Sequence, residues 1–130
     1  MALLRALIVE DQTCMRIYMR AVLRACGIDA IGAPDGACAL ECASPHAIDL
    51  ILIDAEARKT NVLDLLGCIA SGTFGLRPPP VIVCTARLHD TLYVHRLRRA
   101  GTASLIGKPF RPGDLVEAVR TAFERLDAVG

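Results

Sequence analysis

Two periods of apolar residues alternate along this chain. Short unbroken runs stand at "ALIV" (6–9), "IDAIGA" (28–33), "LILI" (50–53), "VIVC" (81–84) and "ASLIG" (103–107). Their length and β-branched content predict strands buried on both faces. Longer segments with helical spacing lie between them. Positions 13–26 carry Met15, Tyr18, Val22 and Cys26 at steps of three and four, with Gly27 as a stop. A second helix is predicted over 36–43, ending before Pro45. A third spans 61–70, with Leu63, Leu66 and Ala70 on one face, and a fourth spans 88–99, ending at Gly101. The last covers 112–127, with Pro112 in its first turn and Leu115, Val119, Ala122 and Leu126 turned inward. Strands alternating with helices imply an α/β fold: a (βα)5 doubly wound parallel sheet covered on both sides. No linker or repeat interrupts the pattern, and "GTFGLRPPP" (72–80) is its loosest stretch.

Composition narrows the picture. At 130 residues and 53% hydrophobic content, the chain is long enough for one domain with a real core. A net charge of +1 gives no global field towards nucleic acid or an anionic membrane. No apolar run approaches the ~20 residues of a membrane span. The opening "MALLRALIVED" is too short for a secretory leader and runs into acids, so a cytoplasmic location is expected. The six cysteines, Cys14, Cys26, Cys38, Cys42, Cys68 and Cys84, form no C-x-x-C pair and have no histidine at metal-ligand spacing. They read as small buried hydrophobes in a reducing compartment.

In an open parallel sheet, chemistry gathers beyond the carboxyl ends of the strands. Glu10 and Asp11 follow the first strand, Asp54 the third, Thr85 the fourth, and Lys108 with Pro109 the fifth. Three carboxylates brought together resist ionising, and a hard cation relieves them. Mg2+ takes carboxylate, water and phosphate oxygens. Lys108 and Thr85 suit the oxygens of a phosphoryl group. The set therefore fits a phosphoryl group held on a carboxylate, with Asp54 as nucleophile. Asp49, at the opposite end of the third strand, is read as structural.

These motifs, "LIVED", "APDGACAL", "LILID", "VCTA" and "GKPF", resemble in order and spacing a response-regulator receiver domain of the CheY-like family. The resemblance covers nearly the whole chain and implies the flavodoxin/CheY-like strand order 2-1-3-4-5. It implies Asp54 as the acceptor of phosphate from a phosphohistidine. Glu10, Asp11, Asp54 and the Glu56 backbone carbonyl would be the Mg2+ ligands, and Lys108 the phosphoryl contact. Thr85 would turn inward on switching, and the Lys108–Pro109 peptide would be cis. The whole of 1–130 is expected to be one receiver with no output domain, catalysing only its own phosphorylation and dephosphorylation.

Two departures stand out. Ala57 and Arg58 replace the usual Met-Pro after the acceptor, and Val62 replaces a later Gly. Leu105 stands where an aromatic residue usually reports phosphorylation. Glu56 and Arg87 flank the pocket as an opposite-charge pair, read either as two solvated side chains or as a bridge over the site. On the first helix, Arg16, Arg20 and Arg24 edge an apolar patch of Cys14, Ile17 and Ala21. In this family such a surface docks the histidine-bearing helices of a sensor histidine kinase or a histidine phosphotransfer protein. The basic fourth helix, with Arg87, His89, His95, Arg96, Arg98 and Arg99, lacks the aromatic interleaving of a nucleic-acid reader. A downstream protein target, or a homodimer through the helix 4–strand 5–helix 5 face, is preferred. A receiver-shaped module that binds proteins without phosphorylation is the alternative. A flavin or nucleotide binder is disfavoured, because "EDQTCM" is not a phosphate-cradling loop.

Overall fold

The computed structural model describes residues 3–42 and 47–129, with side chains to residue 125. The strands are β1 (Leu4–Val9), β2 (Ile28–Ala33), β3 (Leu50–Asp54), β4 (Val81–Thr85) and β5 (Ser104–Gly107). The helices are α1 (Thr13–Ala25), α2 (Gly36–Glu41), α3 (Val62–Ala70), α4 (Thr91–Arg99) and α5 (Pro112–Val129). All strand pairs are parallel, in the order β2-β1-β3-β4-β5. The expected fold class and strand order are both present.

The unbroken apolar runs follow from this topology. Alternate residues of β3 feed opposite faces, as the two-residue period of a strand requires. Leu50 and Leu52 join Met19 and Leu23 of α1 and Leu115, Val119 and Ala122 of α5. Ile51 and Ile53 join Val62, Leu65, Leu66 and Ile69 of α3 and Leu97 of α4. With helices on both faces there is no polar side to alternate towards.

Several boundaries move, each for a local reason. β3 and β4 run one residue further than the apolar runs, because Asp54 pairs in register with Cys84 and Thr85 with Gly107. α4 begins at Thr91 rather than 88, because the Asp90 side chain caps it by accepting the Tyr93 N–H at 3.1 Å. α2 stops at Glu41; the expected end at 43 and Pro45 lie outside the described residues. The Leu126 side chain also lies outside them. The Lys108–Pro109 peptide is cis, as the resemblance implied.

Three expectations about burial need correction. The buried stripe of α1 is Met19 and Leu23. Met15, Tyr18 and Val22 are only partly buried and Cys26 is exposed, because that edge of α1 faces the β5–α5 turn, where Tyr18 meets Phe110 edge-on at 5.7 Å. In α3 the buried residues are Val62, Leu65, Leu66 and Ile69, while Leu63 lies at the edge of the core and Ala70 faces solvent. The cysteines are not uniformly buried. Only Cys84, on the inner strand β4, is in the core, where burial pushes its thiol up to about 12. Cys14 and Cys26 are exposed, Cys38, Cys42 and Cys68 lie at helix flanks, and all are free thiols.

Candidate functional site: an acidic cluster beside an ammonium at the carboxyl edge of the sheet

The strand order reverses between β1 and β3, and the ends of these two strands bring the acids together. The Glu10 N–H donates to the Ala33 carbonyl at 3.0 Å, carrying the β1–β2 pairing one residue further. The Glu10 carbonyl accepts Arg16 Nη1 at 2.7 Å. Gly32 leaves room for that reach: a Cβ there would lie 2.9 Å from Arg16 Cδ. So Arg16 is not a free member of a basic stripe. It folds back across β2 and fixes the turn that carries Glu10 and Asp11.

Glu10 and Asp54 are buried, with 2% and 4% of their surface exposed. Oxygens of Glu10, Asp11 and Asp54 lie within 4.8 Å of one another. Burial, with the Asp54 charge adding to it, pushes the Glu10 carboxyl up to about 7, although the Gln12 N–H opposes the rise. Its hydrogen bond to Asp11 holds the Asp11 carboxyl below the usual range. Arg58 Nε also reaches Asp11 Oδ2 at 3.2 Å, from a side chain 89% exposed.

On the other side of Asp54 stand the donors. Asp54 Oδ1 accepts the Glu56 N–H at 3.0 Å and is in a short contact with Lys108 Nζ. The Lys108 N–H donates to the Thr85 carbonyl at 3.0 Å, which extends the β4–β5 ladder and aims the side chain inward. Burial works against the Lys108 charge, but the Asp54 and Glu56 carboxylates outweigh it and hold the ammonium above its ordinary range. The Thr85 hydroxyl donates to Glu56 Oε2 at 2.7 Å, and the Ala86 N–H donates to Glu56 Oε1 at 2.8 Å. Lys108 Nζ lies 3.1 Å from the same Oε1. Burial alone would raise the Glu56 carboxyl, yet these three partners bring it below its ordinary value.

Of the two readings of Glu56 and Arg87, the bridge between them is not formed. Arg87 instead pairs with Asp90 at 2.6 Å, an i,i+3 neighbour, and its guanidinium stacks 3.9 Å from the Tyr93 ring centre. Glu56 turns inward because Lys108 and two hydrogen-bond donors outcompete an arginine already held. The altered 55–62 loop is closed by its own contacts. Ala57 is buried, the Ala57 N–H donates to the Asp54 carbonyl at 3.2 Å, and Asn61 caps α3 through the Asp64 N–H at 3.1 Å. Lys59 takes a left-handed φ of 55°. The Glu56 backbone lies in the turn directly after Asp54. Leu105 is partly buried and packs into the α3–α4 core.

The expected docking residues Cys14, Ile17 and Ala21 are all exposed, Ile17 by 62%. Beside them a cavity of about 460 Å³ opens between α1 and the β5–α5 turn, lined by Glu10, Met15, Tyr18, Asp54, Lys108 and Phe110 among others. Sequence reasoning missed Arg16 and Arg58. The one signal for Arg58 was its place in the loop that departs from the family pattern.

Comparison with known proteins agrees with this geometry. The response regulator receiver domain pattern matches residues 6–120. The transcriptional regulatory protein PdtaR of Mycobacterium tuberculosis is 35% identical over 93% of the chain, and the DNA-binding response regulator MtrA of the same organism is 31% identical over 95%. The chain spans 57% and 52% of the lengths of those two relatives. The chemotaxis response regulator CheY4 of Vibrio cholerae superposes with a TM-score of 0.82 over 93% of this chain and 99% of its own, at 19% identity, a likeness of fold. The receiver domain of the sensor histidine kinase PA1611 of Pseudomonas aeruginosa, solved with magnesium in its active-site cleft, covers 95% of this chain and 99% of its own. It has a TM-score of 0.78 and 25% identity. On fold, site edge and sequence together, this chain belongs to the response regulator receiver domain family.

Proposed function

We propose that the chain accepts a phosphoryl group on Asp54 from a phosphohistidine donor and signals through altered protein binding. The carrying observation is that one buried carboxylate is shared by a cation-binding half and an anion-binding half. Asp54 Oδ1 is held by Lys108 and the Glu56 N–H, which leaves Oδ2 as the nucleophile. A bond forms from Oδ2 to phosphorus as the bond from phosphorus to the donor nitrogen breaks, and the imidazole leaves with that electron pair. Lys108 stabilises charge on the phosphoryl oxygens as it moves, and the Thr85 hydroxyl and Ala86 N–H are within reach of the same region.

The donor set fits a hard divalent cation. Oxygens of three carboxylates lie within 4.8 Å of one another, and one of them, Glu10, resists ionising because it is buried and stands beside Asp54. Glu10, Asp11, Asp54 and the Glu56 carbonyl would hold Mg2+, which supplies neutralisation of the charge that gathers during transfer. The exposed Cys14, Ile17 and Ala21 face, next to the Asp54 cavity, is where a histidine kinase or a phosphotransfer protein would dock. The α4–β5–α5 face would meet a target or a second copy. No described helix is long and apolar enough to cross a membrane.

The test is intact mass after incubation with acetyl phosphate. One phosphoryl adduct is expected with Mg2+ and none with EDTA. A second reading, protein binding without phosphorylation, is favoured by Glu56, which already fills the Thr85, Ala86 and Lys108 donors. On that reading Asp54→Asn would bind the target as tightly as the native chain does.

A further inference from the structure

The donors next to Asp54 converge on a carboxylate from the same chain. Both oxygens of Glu56 are used: Oε2 by the Thr85 hydroxyl at 2.7 Å, and Oε1 by the Ala86 N–H at 2.8 Å and Lys108 Nζ at 3.1 Å. Its own backbone N–H is bonded to Asp54 Oδ1 at 3.0 Å, so the side chain is leashed two residues from the acceptor. An ordinary exposed ion pair makes one contact and contributes little. This carboxylate makes three, one of them to a threonine with no exposed surface. Arg87, the outward partner that the sequence offered, is committed to Asp90 and Tyr93.

A carboxylate and a phosphoryl group make the same demand of such donors: anionic oxygens a few ångströms apart. We infer that the Glu56 carboxylate is an internal occupant of the phosphoryl seat. It holds the Thr85 hydroxyl turned inward in the unphosphorylated chain and competes with an incoming phosphoryl group. This inference rests on the phosphoacceptor reading. With 34% of its side chain exposed, Glu56 has an open path to swing into solvent when the seat is taken. Thr85 then keeps a partner throughout, exchanging a carboxylate oxygen for a phosphoryl oxygen. The usual inward turn of this hydroxyl is therefore no measure of phosphorylation here. Two neighbours carry the loop's consequences separately: Glu56 fills the anion side, and Arg58 touches Asp11 on the cation side. Arg58's side of that pair is almost fully exposed, and the pair is the weaker of the two.

The experiment is a titration with beryllofluoride, an unreactive phosphoryl analogue, at saturating Mg2+. It uses the native chain, Glu56→Ala and Glu56→Gln, followed through the backbone amide signals. Glu56→Ala keeps the Glu56 carbonyl and empties the seat. Binding should tighten by about tenfold or more, the worth of one hydrogen bond to an ionised group. Glu56→Gln, which keeps the shape and loses the charge, should fall between the two. Before any analogue is added, the Ala86 amide proton should move upfield in Glu56→Ala. Native binding with no tightening in either folded variant would overturn the inference and leave the phosphoacceptor reading standing. No binding in any of the three chains would overturn both.

Discussion

Strand β3 carries an aspartate at each end, and the two have different fates. Asp49, before the strand, accepts the Arg5 N–H at 2.8 Å and so caps the start of β1. Asp54, the last residue of the strand, meets Lys108, the Glu56 N–H and the acids Glu10 and Asp11. Chemistry at the two positions is the same; topology is not. All five strands point one way, so their carboxyl ends collect the turns that lead into helices, and with them the charged side chains. Size of cavity does not follow chemistry. The larger concavity, about 870 Å³, lies at the amino edge against Pro78–Pro80 and Arg98, with no carboxylate among the described residues of its wall. The smaller one opens beside Asp54.

The comparison breaks most sharply at Lys108. Lys108→Ala should slow adduct formation from acetyl phosphate by roughly 10²–10³-fold, the usual cost of removing a donor aimed at developing charge. Asp49→Asn should leave the rate unchanged, and time-resolved intact mass reads both. A slow Asp49→Asn would mean that the two ends are coupled.

Glu10 gives the next effect. Its carboxyl lies at about 7 in the fold against 4.5 unfolded. Between those values the unfolded chain has released its proton and the folded chain keeps it. Stability without metal therefore falls as pH rises through this window, by about 3 kcal/mol at most, and is level above it. Asp11 is shifted the other way, so its contribution is lost only below its ordinary value of 3.8, outside the window. Mg2+ competes with the Glu10 proton, so its affinity should weaken towards tenfold per pH unit below about 7. Urea unfolding and calorimetric titration at stepped pH measure the two. Glu10→Gln should flatten both curves.

Smaller effects belong to single contacts. Asp49→Ala should cost about 1.5 kcal/mol in urea unfolding, the worth of one hydrogen bond to a charged cap, without touching the adduct. Arg58→Ala should change stability by less than about 0.5 kcal/mol, because Arg58 reaches Asp11 from solvent. Its measurable consequence is a slight gain in Mg2+ affinity.

The strands were legible because parallel burial removes alternation, so each run announces itself. The site residues were legible because four of the five runs lead directly into one of them. α1 was misread because two apolar stripes share that helix: one faces the sheet through Met19 and Leu23, and the other faces the β5–α5 turn through Tyr18. Spacing alone does not rank them. The cysteines were misread because residue type predicts burial only on average, while helix flanks hold most of these. The inward turn of Glu56 had no sequence signal beyond its position two after the acceptor. It depends on which partner Arg87 already has, and Asp90 supplies that from the next helix cap.

The most direct test sets the two ends of β3 against each other. Native chain, Asp54→Asn and Asp49→Asn are incubated with acetyl phosphate and Mg2+, and their intact masses are read over time. The account predicts one adduct in the native chain and in Asp49→Asn, and none in Asp54→Asn. An adduct that survives Asp54→Asn, or no adduct in any folded chain even with a phosphohistidine donor, would contradict it.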